Sequence, residues 1–101
     1  MIEEPISAEV RIPQVGDIVQ YVLAKHDGCK DHCAGEHRPA IVVRKWGNEY
    51  QSAIQLQVLV DGGNDFPYPH LSALTGMFWA TSVTHDAEHQ PHTWHWPEQH
   101  S

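Results

Sequence analysis

Ala53-Ile54-Gln55-Leu56-Gln57-Val58-Leu59-Val60, followed by Asp61-Gly62-Gly63-Asn64-Asp65, is the most regular stretch of this chain. Ile54, Leu56, Val58 and Val60 alternate with Ala53, Gln55, Gln57 and Leu59, the period of two that a half-buried strand requires. The Asp-Gly-Gly-Asn-Asp run stops it with residues that accept tight turns and positive φ. On the N-terminal side, Pro39 introduces a second strand, Ala40 to Trp46, closed by the turn Gly47-Asn48-Glu49. Before that, Gly16-Asp17 turns the chain into Ile18-Val19-Gln20-Tyr21-Val22-Leu23, rich in β-branched and aromatic residues. On the C-terminal side, Phe66-Pro67-Tyr68-Pro69-His70 is a rigid aromatic loop and residues 71–76 hold room for a helical turn. Met77 to Thr84 is a further strand, and a polar bend over 85–92 leads to Thr93-Trp94-His95-Trp96-Pro97, with Trp94 and Trp96 on one face.

Long amphipathic helical patterns do not occur. Short strands joined by glycine- and proline-rich connections predict an all-β fold: a small SH3-like β-barrel of four to five antiparallel strands with a long first loop. The 101 residues make one domain. Residues 1–15, with Pro5 and Pro13 and little periodicity, read as an extended N-terminal arm holding at most a short strand at Ala8 to Ile12. Residues 16–101 form the barrel.

Thirteen acids against six bases give a net charge of −7, which argues against a nucleic-acid binder, since that affinity comes largely from neutralising phosphates. The same balance suits solubility and attraction to a basic partner surface. Nine histidines make the charge pH-dependent around pH 6. Met1-Ile2-Glu3-Glu4-Pro5 starts acidic with no apolar run behind it, so no secretory leader is expected, and no segment reaches membrane-spanning length.

The first loop, His26-Asp27-Gly28-Cys29-Lys30-Asp31-His32-Cys33-Ala34-Gly35-Glu36-His37, carries both cysteines. Thiolate and imidazole are the usual zinc donors, and the short bites His26-x2-Cys29 and Cys33-x3-His37 suit one ion. His26, Cys29, Cys33 and His37 are therefore the expected ligands of a structural zinc, with His32 in reserve and Glu36 a weak candidate base. Against this stands a plain polar loop with incidental thiols. His85, His92 or His95 from the second half could complete a site begun in the first. Asp61, Asn64 and Asp65 offer oxygen atoms for calcium but read more simply as a turn. No phosphate loop, nucleophile elbow or H-E-x-x-H motif occurs, so no enzyme is expected. Among the aromatics, Trp79 is expected in the core, while Trp94, Trp96, Phe66 and Tyr68 are the expected partner anchors.

Gly16-Asp17-Ile18-Val19 with Gly35-Glu36 and Arg38-Pro39-Ala40-Ile41-Val42-Val43 resembles the opening of MazF/PemK-type toxin ribonucleases over about a quarter of the chain. That resemblance implies an SH3-like barrel and, at Arg38, a residue that helps cleave RNA. The family's threonine after the third strand is replaced here by Val58-Leu59-Val60-Asp61. Over the whole chain, Gly16 to Val22, Pro39 to Val43, Leu56 to Asp65 and Thr93 to Glu98 resemble small proteins often encoded in bacteriophages and prophages. That second resemblance implies a viral or mobile-element origin without a mechanism. Three functions follow as expectations. The first is a non-enzymatic protein-binding module of a virion, a capsid decoration or tail accessory protein. The alternatives are a MazF-like ribonuclease using Arg38 and a zinc-binding, host-directed inhibitor in the cytoplasm. The expected partner is a capsid, tail or host protein, with self-association open; the expected location is the virion or the host cytoplasm.

Overall fold

The computed structural model describes residues 11–97. The sheet closes into a barrel of five strands, β1 (Ile18–Val22), β2 (His37–Lys45), β3 (Ile54–Leu59), β4 (Met77–His85) and β5 (Thr93–His95), in that order around the barrel. The all-β expectation holds, and β5 is the short closing strand, antiparallel to β1. One pairing differs from the antiparallel expectation: β4 and β5 run parallel, Thr84 opposite Thr93. The polar bend between them carries the chain back before β5 begins, so both strands point the same way.

Two irregularities bend the sheet shut. The register slips between Val42 and Arg44 on β2 and again where Ile54 and Leu56 face Val83 and Ala80. At the second, Ser82 takes φ 53°, and its N–H donates to Gln55 Oε1 at 2.6 Å. Such bulges increase local twist and allow a short-stranded sheet to curl. β2 starts earlier than its proline suggested: Pro39 lies inside the strand opposite Gln20, and Arg38 lies opposite Tyr21.

The core follows the alternation. Val19 and Tyr21 of β1, Ala40 and Val42 of β2, Ile54, Leu56 and Val58 of β3, and Ala80 and Val83 of β4 are all buried. Trp94 plugs the middle of this set, its ring edge-on to Trp96 with centroids 5.2 Å apart. Two short helices, α1 (Gly62–Asp65) and α2 (Leu71–Thr75), connect β3 to β4. The helical turn expected over 71–76 is α2; the Gly-rich stop after β3 is α1. Ala8 to Val10 of the expected arm strand lie outside the described residues, and Arg11 and Ile12 are not in a strand. Arg11 instead lays its guanidinium 3.8 Å from the Trp96 ring centroid. No helix among the described residues is long and apolar enough to cross a membrane.

Candidate functional site

The first loop folds into two 3-10 turns, Lys25–Asp27 and Asp31–Cys33. Gly28 closes the first with φ 99°, and a Cβ there would meet the His70 ring at 3.0 Å. Both thiols turn inward. The Cys29 thiol donates to Ala24 O at 3.3 Å, and the Cys33 thiol, 2% exposed, donates to Asp65 Oδ1 at 3.3 Å. Burial raises both thiols above their ordinary value, with Asp27 adding to the effect at Cys29 and Asp65 taking Cys33 up to about 11. Both pack within the hydrophobic core cluster, where a free cysteine serves as a small apolar side chain.

The four expected zinc ligands are accordingly not brought together. His26 clusters with Asp27 and His92, Cys33 with Glu36 and Asp65, and His37 with His89 and His95. Cys29 belongs to none of these groups, and neither does the reserve ligand His32, which is exposed. A thiol-disulfide reagent at neutral pH should therefore leave both cysteines of the native protein unmodified over minutes and titrate both after unfolding in guanidinium. A fast-reacting thiol in the native state would contradict their packing.

In the Cys33–Glu36–Asp65 group both carboxylates are already engaged by Arg38. Asp65 is 1% exposed and takes a bidentate fork from Arg38, Nε to Oδ2 at 2.8 Å and Nη2 to Oδ1 at 2.7 Å. Its Oδ2 also accepts the Asp61 N–H at 2.7 Å, and its backbone carbonyl accepts from Lys30 N at 2.7 Å. The Arg38 fork outweighs burial and holds the Asp65 carboxyl down to about 2. Arg38 Nη1 donates to His37 O and Nη2 donates also to Glu36 Oε1, each at 2.8 Å. The pair ties α1 to β2 across the first loop. Of the oxygen-rich turn, Asp61 and Asn64 bond to each other at 3.1 Å while Asp65 faces Arg38, so their oxygens do not converge on one point.

The histidines are gathered by barrel closure. Tyr21, inside the barrel, donates its hydroxyl to Asp27 Oδ2 at 2.5 Å and lies 2.7 Å from His92 Nδ1. With the phenol proton directed at the carboxylate, the tautomer of His92 that carries its proton on Nδ1 donates to the phenol oxygen. Asp27 Oδ2 also accepts the Ala24 N–H at 3.0 Å, and burial together with Asp27 pushes the Tyr21 phenol far above its ordinary value. His26 packs on His92 with centroids 4.9 Å apart. On the outer side of β1, His37, His89 and His95 meet with centroids 4.7, 5.1 and 3.6 Å apart. His95 is 4% exposed; burial, and after it the His89 and His37 rings, hold it down to about 4, so it is neutral at neutral pH. Asp27, Tyr21 and His89 carried no sequence signal, since only the three-dimensional closure brings them to their partners.

The expected anchors divide differently from the sequence reading. Trp94, Trp96 and Phe66 are buried in the core and cannot touch a partner, whereas Tyr68 is 67% exposed. Trp79, expected in the core, is 50% exposed. On β4, Phe78 and Ala80 take the inward positions, and Trp79 and Met77 stand outward opposite Gln57 and Leu59 of β3. With Leu71 of α2 they border a groove of about 400 Å³ whose floor includes Phe78 and Ser72. No family model, curated protein or solved structure matches this chain.

Proposed function

We propose that this chain is a non-catalytic protein-binding barrel, a capsid decoration or tail accessory component of a phage-type virion. The observation that carries the binding part is the outward ledge of Met77, Trp79 and Leu71 beside its groove. Tryptophan and methionine are enriched at interface centres and are uncommon as idle surface. The sheet closes through the short β5, and the ledge offers side chains for the contact. The net charge of −7 favours a partner whose apolar contact is rimmed by basic residues. The virion assignment rests on the whole-chain resemblance to small phage and prophage proteins. Arg38 is held on both sides by carboxylates, so no specific observation favours the ribonuclease reading.

The test is mass spectrometry of particles purified from the producing host. The wild-type chain should be present at a fixed ratio to a major structural protein, and Trp79→Glu should be lost from particles while melting within about 0.5 kcal/mol of wild type. Absence of the wild-type chain from particles would reject the virion role. Undiminished incorporation of Trp79→Glu would reject the ledge.

A further inference from the structure

We propose that His37, His89 and His95 form a binding site for a divalent transition metal of the zinc class, with three imidazole donors and a fourth position open to the cavity beside them. The residues come from distant parts of the chain. His37 opens β2, His95 ends β5, and His89 sits in the connection between β4 and β5. β1 lies between the first two, with Val22 opposite His37 and Gln20 opposite His95. One ring nitrogen of each imidazole lies within 4.8 Å of the others. The edge of a nitrogen-only zinc tetrahedron is about 3.3 Å, from a Zn–N distance near 2.05 Å. Reaching that edge from 4.8 Å requires the rings to turn about their side-chain torsions, the stacked His89 and His95 pair included.

A second observation points to a ligand at this place. His95 is nine-tenths buried or more, and its Nδ1 is buried without a hydrogen-bond partner. An orphaned buried polar atom costs the desolvation of that group, and native structures keep such atoms rare. Beside it is a cavity of about 330 Å³ lined by Gln20, His37, His95 and Pro97, with room for an ion and a water. His89 is presented by a fixed turn: its N–H donates to Asp86 O at 3.1 Å, and the Asp86 carboxylate accepts from Glu88 N and Gln90 N at 2.9 and 3.2 Å. The donor set fixes the class of ion, since imidazole nitrogen without carboxylate suits zinc, copper, nickel and cobalt and not calcium or magnesium. The other histidine group is less available, because the Asp27 carboxylate and His92 Nδ1 are already engaged by Tyr21. A bound ion would staple the three-residue closing strand and its connection to the start of β2, so binding would add to folding stability.

The experiment is zinc titration of protein prepared without a polyhistidine tag, by calorimetry at neutral pH, alongside His37→Gln, His89→Gln and His26→Gln. A single equivalent should bind to wild type and to His26→Gln. His37→Gln and His89→Gln should each weaken binding by at least the roughly 10–100-fold that loss of an outer-shell partner costs a metal site. Imidazole nitrogen NMR of the wild-type protein guards against misfolded variants: zinc should shift the ring signals of residues 37, 89 and 95 together. Absence of stoichiometric binding would overturn the proposal, as would binding lost in His26→Gln and kept in His37→Gln and His89→Gln. So would zinc-dependent shifts confined to His26 and His92.

Discussion

Replacing Trp94 with alanine is expected to remove most of the stability of the barrel, at a cost of about 3–5 kcal/mol. The side chain is fully buried at the junction of β1, β4 and β5, edge-on to Trp96 and to the His85 ring. The closing strand has only three residues, and Trp94 is its main apolar contribution to the core. A domain of this size has a total stability of about 5–15 kcal/mol, so the loss leaves little margin. Trp79→Ala is the informative contrast. Its side chain stands outside β4, and the change should stay within about 0.5–1 kcal/mol of wild type. Guanidinium melts of the two variants check this directly. Equal midpoints would contradict this division into an inward and an outward tryptophan.

Breaking the Arg38–Asp65 pair is the next largest expected effect. Arg38→Ala leaves a carboxylate buried with one backbone N–H and one thiol as its remaining donors, and removing one partner of a buried pair costs about 3–5 kcal/mol. The pH dependence has a definite sign. The folded Asp65 carboxyl lies at about 2, below its ordinary 3.8, so its contribution is present above pH 4 and lost as pH falls from about 4 to about 2. A depression of that size corresponds to roughly 2–3 kcal/mol. Asp65→Asn should therefore be less stable than wild type at neutral pH and should converge on it in acid. Parallel acid-denaturation curves for the two proteins would show that Asp65 is not held in this way. Growth of cells expressing the wild-type chain, and its indifference to Arg38→Ala, would separate this structural role from RNA cleavage.

The strands were legible because their signal is local. The alternation at Ile54, Leu56 and Val58 is the burial pattern of β3, and Gly16-Asp17 opens β1 as its turn chemistry implies. The phase of β4 was not legible in the same way. Phe78 and Trp79 are equally suited to a core, and only the register with Gln57 puts Trp79 outside. The first loop shows a different limit. Cysteine and histidine spacing is one-dimensional, whereas the choice between ligand and core side chain depends on which way the folded loop turns each thiol. Both thiols went to the core, and the histidines at either end of the loop found partners from the second half, His92 for His26 and His95 for His37. That long-range completion was open in the sequence for His92 and His95. His89 had no signal there at all, because its position depends on the turn that Asp86 holds.

That barrel closure, and not the loop, gathers the metal-binding groups of this chain is tested most directly by X-ray absorption at the zinc edge of the tag-free protein loaded with a single equivalent of zinc. The expected first shell contains only nitrogen and oxygen scatterers near 2.0–2.1 Å, with the outer-shell signature of several imidazoles. A sulfur scatterer near 2.3 Å would contradict it, returning the metal to Cys29 and Cys33.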